Sequence, residues 1–278
     1  MLARCLRRPR ESFPKPPALY CQDTARAQDK FGIVSWVPIK TSIVGYTSKD
    51  TLPTGKNIVG GSFISIGAKD SFKLTDLVVN VPEDKTCSGE FILQTLTADG
   101  RTDKSYAWFK DKKHGGEKGG VAGWYDEAGK VQFIGDNDVE FDAGTCFWTL
   151  GGGFTLQSAG AVLTETVKTP TLPTGKVLVG NPYPMAVNLT DLYVEVPDGQ
   201  TCSGEFIFQT LTADGRTDQS YAWFKDKKHG GEKGGVEGWY DEAGKVQITK
   251  ESGILLGAGE GYWTLGNGFT VVFPKIDL

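Results

Sequence analysis

Histidine is nearly missing from this chain. Its 278 residues hold only His114 and His229, each with one nearby glutamate, Glu117 or Glu232. One imidazole and one carboxylate are too few ligands for a structural zinc. The five cysteines (Cys5, Cys21, Cys87, Cys146 and Cys202) show no metal-binding spacing. Neither a glycine-rich phosphate loop ending in Gly-Lys-Ser/Thr nor a Gly-x-Ser-x-Gly nucleophile elbow occurs. No apolar run approaches the roughly 18 residues that would span a bilayer. No stretch combines a 3.6-residue apolar period with helix caps. Positive charge is also short: the net charge is −4 and the pI is near 5.4. A nucleic-acid or anionic-membrane binder would be basic, so both partners are disfavoured. These absences leave no catalytic constellation. The expectation is a chain that is not an enzyme and takes no cofactor and no metal.

What the chain does have is a repeat. Residues 87–132 recur as residues 202–247, and 43 of the 46 positions match; the differences are Leu93/Phe208, Lys104/Gln219 and Ala122/Glu237. The repeat extends outward with more divergence. Leu52–Lys56 recurs as Leu172–Lys176, Leu74–Leu77 as Leu189–Leu192, and Trp148–Gly151 as Trp263–Gly266. The offset falls from 120 to 115, so the second copy lacks five residues between Gly60 and Leu74. Such an indel belongs in a loop. The boundaries expected are a basic leader over 1–42, a first unit over 43–163 and a second over 164–278.

Glycine supplies 37 of the 278 residues, well above the usual share of roughly 7%. Together with Thr, Val, Phe and Trp it predicts many short strands joined by glycine turns. In Glu90–Thr97 alternation sets Phe91, Leu93 and Thr95 against Glu90, Ile92, Gln94 and Leu96. Asp99-Gly100 marks a hairpin turn into Tyr106–Lys110. Gly123–Asp126 and Val131–Ile134 flank a second turn, and Cys146–Leu150 and Phe154–Leu156 are expected to flank a third around Gly151–Gly153. The fold class expected is all-β: two tandem, duplicated, antiparallel β-sandwich or jelly-roll-like units of about 115 residues after an irregular leader.

Residues 1–30 of the leader hold Arg4, Arg7, Arg8, Arg10, Lys15, Arg26 and Lys30 against Glu11, Asp23 and Asp29, a charge of +4. Ala25-Arg26-Ala27 has the form of a signal cleavage site, but no apolar segment precedes it. The segment reads as an export or transit leader or as a plain tail. After it, Phe31–Tyr46 is apolar and β-branched. It is the candidate for a strand donated to a neighbour, the other reading being a first strand of its own unit.

Four sets of residues are candidates for function. The loops Lys110–Gly120 and Lys225–Gly235 are copied letter for letter. Lys110, Lys112, Lys113, His114 and Glu117, with Lys225, Lys227, Lys228, His229 and Glu232, are read as charged docking loops. Trp124-Tyr125 and Trp239-Tyr240 border glycine loops; exposed, they would stack on sugar rings, and buried, they would pack a core. Cys87 and Cys146 are a candidate disulfide, with three buried thiols as the alternative. Asp99–Asp103 and Asp214–Asp218 read as turns, because the spaced oxygen ligands of a calcium loop are missing. Asn188-Leu189-Thr190 is a glycosylation sequon.

Val179–Pro184, Leu189–Leu192, Gly238–Tyr240 and Gly259–Trp263 together resemble a pattern in β-rich tandem-repeat domains of secreted and surface-attached bacterial proteins. In the first copy Gly61–Ile64 replaces Asn-Pro-Tyr-Pro and Thr145-Cys146 replaces Glu-Gly. The resemblance implies an extracellular or cell-surface location and no catalytic residue. The function expected is a structural protein that self-associates into a filament, sheath or layer, with itself as partner. The alternative is a carbohydrate-binding module of a secreted system, with a glycan as ligand.

Overall fold

The computed structural model describes residues 24–28, 34–38, 44–48, 51–52, 55–97, 100–110, 121–212, 216–225 and 236–276, the first three segments as backbone. Its strands are antiparallel throughout, and the helices among the described residues are four 3-10 turns of three residues each. The all-β expectation holds.

In order, the strands are β1 Thr24–Gln28, β2 Val34–Pro38, β3 Val44–Ser48, β4 Asn57–Gly60, β5 Ser71–Lys73, β6 Leu77–Asn80, β7 Ser88–Leu96, β8 Thr102–Phe109, β9 Gly123–Asp126, β10 Glu140–Asp142, β11 Cys146–Leu150 and β12 Thr155–Ala161. The second repeat adds β13 Val167–Lys168, β14 Lys176–Gly180, β15 Val187–Asn188, β16 Tyr193–Glu195, β17 Ser203–Leu211, β18 Thr217–Phe224, β19 Gly238–Asp241, β20 Leu255–Leu256, β21 Gly261–Leu265 and β22 Thr270–Phe273.

The first repeat forms a five-stranded sheet, β4-β11-β7-β8-β9, a three-stranded sheet, β3-β12-β6, and a ribbon, β10-β5. The second forms β14-β21-β17-β18-β19, β13-β22-β16 and β15-β20 in the same order. Period-2 alternation places the cores. Phe91 and Leu93 of β7, Trp108 of β8, Trp124 of β9 and Phe147 of β11 point one way from the five-stranded sheet. There they meet Leu77 and Val79 of β6, Leu156 of β12 and Phe72 of β5. The second core repeats this with Phe206, Phe208, Trp223, Trp239, Tyr262, Leu192, Val194 and Val271, and also takes in Ile64, Ala161 and Leu163.

Three expectations are corrected. Cys146–Leu150 and Thr155–Ala161 do not form a hairpin; β11 pairs with β4 and β7, whereas β12 pairs with β3 and β6. The glycine turn carries the chain between two sheets. Gly151 has φ 93°, and a Cβ there would lie 2.2 Å from the Glu90 carbonyl oxygen, so glycine is required. The leader is not free of strands, because β1 and β2 pair over five residues. The proposed donor segment is used within its own chain: Val34–Pro38 lies in that hairpin and Val44–Ser48 pairs with β12.

Candidate functional site

Lys112, Lys113, His114, Glu117, Lys227, Lys228, His229 and Glu232 lie outside the described residues. The first lysine of each loop is described, and both are engaged at home. Lys110 Nζ donates to the carbonyls of Val81, Pro82 and Lys85 at 3.4, 3.1 and 3.2 Å. Lys225 Nζ donates to the Val196 carbonyl at 3.4 Å. These two ammonium groups fasten the turn before β7 or β17.

Trp124 and Trp239 are core residues, with 1% and 2% of their surface exposed. Their Nε1–H groups donate to the carbonyls of Leu77 and Leu192 at 2.6 and 2.9 Å. Trp108 and Trp223 meet them edge-on, with centroids 5.1 and 5.2 Å apart. Tyr125 and Tyr240 occupy the other face of the strand, buried against Phe109 and Phe224, and donate to the carbonyls of Val121 and Val236 at 2.7 Å. No sugar ring reaches these aromatics, so the glycan-stacking expectation for Trp124, Tyr125, Trp239 and Tyr240 is corrected. Both faces of β9 and β19 are covered, and alternation sends the tryptophan inward.

The Cys87–Cys146 disulfide is not formed. Cys87 is a free, buried thiol donating to the Trp108 carbonyl at 3.3 Å, and Cys202 does the same to Trp223 at 3.2 Å. Burial pushes both thiols above their ordinary range. Cys146 sits elsewhere, against the second repeat.

That contact between repeats was not read from the sequence. Gly60 N donates to the Gly259 carbonyl at 2.9 Å, and Gly180 N donates to the Gly144 carbonyl at 3.0 Å. Gly60 corresponds to Gly180 and Gly144 to Gly259, so the contact has an approximate two-fold. Trp148 and Trp263, also equivalent, meet edge-to-face with centroids 5.4 Å apart. Lys56 lies 4.7 Å from the Trp148 centroid and Lys176 lies 5.8 Å from that of Trp263. Glycine is needed for the approach. A Cβ on Gly261 would lie 2.2 Å from Ile58 Cγ2 and 2.6 Å from Cys146 Sγ, and one on Gly180 would lie 2.5 Å from that sulfur. Beside the contact, Tyr262 donates to Glu260 at 2.8 Å; burial first, and then the Glu260 charge, pushes its hydroxyl far above the ordinary tyrosine range.

Asn181 and Tyr183 fix the second repeat's loop. Asn181 is fully buried; its Nδ2 donates to the carbonyls of Met185, Leu256 and Gly257 at 2.8, 3.0 and 3.2 Å, and its Oδ1 accepts from Tyr183 N at 3.0 Å. The Tyr183 hydroxyl donates to the carbonyls of Glu165 and Phe273 at 2.7 and 3.2 Å. These residues are clamps. The motif that carries the resemblance builds structure.

The contact between repeats involves β4 and β14, which end their five-stranded sheets; β9 and β19 end the opposite margins. Beside those margins Val131 and its equivalent Val246 are 48% and 61% exposed, and Val121 and Val236 are exposed as well. Among the described residues no three or more His, Cys, Asp or Glu side chains gather as metal ligands, and no helix is long and apolar enough to cross a membrane. Comparison with protein-family models, curated proteins and solved structures gives no match.

Proposed function

We propose that this chain is a non-enzymatic structural protein of the cell surface or extracellular space, built from two tandem β-sandwich units, that associates with copies of itself. The repeated five- and three-stranded sheets, each pair enclosing one core, support the sandwich reading. The resemblance to secreted tandem-repeat domains supports the location. One observation carries the association. The approximate two-fold joins the units on the β4 and β14 side, and the same exposed valines recur beside both β9 and β19. Each chain therefore offers two equivalent apolar margins, the arrangement from which a linear assembly grows.

The test is solution mass against concentration for the full chain and for a Val131→Lys, Val246→Lys double variant. The parent is expected to grow in mass and the variant to remain smaller at equal concentration. A parent that stays monomeric at every concentration would refute the reading.

A further inference from the structure

The five-residue difference between the repeats makes a protrusion on one and a groove on the other. In the first repeat the backbone of the longer loop closes on β12, while Ile64 packs in the second core. Ile64 and Ala161 exchange backbone hydrogen bonds of 3.0 and 2.8 Å. The loop then turns outward through Ser65–Ala68, closed by Ala68 N donating to the Ser65 carbonyl at 2.9 Å, with Gly67 at φ 91°. A glycine at this third position allows the tight turn. The turn is anchored: Ser65 N donates to the Ser71 carbonyl at 2.8 Å, Lys73 N donates to Ser65 Oγ at 3.1 Å, and Ser65 Oγ donates to Asp76. At its corner stands Ile66, 72% exposed, the most exposed large apolar side chain among the described residues. Exposed Lys69 and Asp70 follow it.

The second repeat lacks these five residues. Pro184, which has no N–H, stands where Ile64 closes the first repeat. A groove of about 380 Å³ remains, with Met185, Val187, Pro274 and Ile276 as its apolar lining and Asp191 and Lys275 among its polar groups. Met185 is exposed. No residue of the first repeat lines it, so the chain's own Ile66 does not fill it.

We infer that the Ile66 turn of one copy docks into the Met185–Ile276 groove of a second copy. The knob is apolar and held rigid, which lowers the ordering cost of binding. Its flanking Asp70 complements Lys275 at the groove, whose Asp191 is already paired with Lys250 at 3.3 Å. Knob and groove are different surfaces on one chain, so the contact is head-to-tail and leaves a free knob and a free groove at the ends of every oligomer. This inference rests on the self-association reading and names one of its contacts.

The experiment follows solution mass against concentration for the full chain, for Ile66→Asp, for Asp70→Lys and for Asp70→Lys with Lys275→Glu. Ile66→Asp is expected to raise the half-association concentration about tenfold or more, because it asks a carboxylate to enter an apolar groove. Asp70→Lys should weaken association, and the added Lys275→Glu should restore it. Melting temperature should hold in Ile66→Asp, since the side chain is already solvated, and this separates lost docking from lost folding. If the parent associates and Ile66→Asp associates equally, the contact is refuted while the self-association reading stands. If the parent never associates, both fail.

Discussion

Replacing Asn181 tests whether the Asn-Pro-Tyr-Pro turn is a structural clamp. In Asn181→Ala the Met185, Leu256 and Gly257 carbonyls lose the shared amide, and Tyr183 N–H loses its acceptor. The site is fully buried. Each buried polar group left without a partner costs about 1–3 kcal/mol; the three carbonyls share two N–H bonds, and the Gly257 carbonyl keeps the Glu260 N–H at 3.2 Å. Relaxation recovers part of this, so the expected loss is about 3–5 kcal/mol. That is a large share of the 5–15 kcal/mol or so that holds an ordinary domain together. The assay is equilibrium urea unfolding followed by tryptophan fluorescence, which Trp223, Trp239 and Trp263 report in this repeat. The midpoint should fall while the slope stays near the parent's, because the surface exposed on unfolding hardly changes. Asn181→Leu refills the space without the hydrogen bonds, and should recover little if polar satisfaction dominates. An Asn181→Ala loss below about 1 kcal/mol would mean that water replaces the amide, and the clamp argument would be wrong.

The first repeat supplies the converse. Ser62 is buried with no partner for its Oγ, so Ser62→Ala should be neutral or raise the urea midpoint. Gly261→Ala should lower stability by about 1–3 kcal/mol through overpacking on Ile58 and Cys146, and a double-mutant cycle with Ile58→Ala should show part of the cost returned. Burial raises the Tyr183 hydroxyl to about 12. A tyrosine raised on folding adds stability that is full below its ordinary value near 10 and is lost as pH climbs through about 12. Tyr183→Phe should therefore flatten the decline in stability between about pH 10 and 12, read by thermal melts across that range.

The strand pattern was legible wherever alternation met a core on one side. Phe91 and Leu93 are buried as their spacing requires, and Asp126 and Val131 close the turn expected between them through a 2.9 Å bond. Alternation does not say which face is wet. Gly-Trp-Tyr-Asp reads equally well with either aromatic outside, and here Ala107, Phe109 and Tyr125 form a second buried cluster on the reverse face. Gly151–Gly153 looks like a hairpin turn because glycine permits both a tight return and a change of sheet. The contact between repeats was invisible for a related reason. Gly60 and Gly180 signal only that no side chain fits; what approaches them includes Cys146 and Gly144, 34 and 36 residues before Gly180, and Glu260, 200 residues after Gly60. The Cys87–Cys146 pairing failed because spacing carries no distance.

Divergence between the copies becomes intelligible once the contact is seen as an approximate two-fold. Near such an axis a residue meets its own equivalent, so the pair must either be self-complementary or split into a large and a small member. Trp148 and Trp263 take the first course, edge against face. Cys146 and its equivalent Gly261 take the second: the sulfur occupies the space a Cβ on the glycine would need. Two cysteines would crowd each other there, and two glycines would leave a gap beside Ile58. The change from Glu260-Gly261 to Thr145-Cys146, a departure from the motif in the first copy, is thus what lets one copy pack on the other. It also favours pairing of unlike repeats over pairing of like ones. Among the described residues the main contacts of β7, β8 and β9 lie within their own repeat, and their sequence is free to stay the same in both copies.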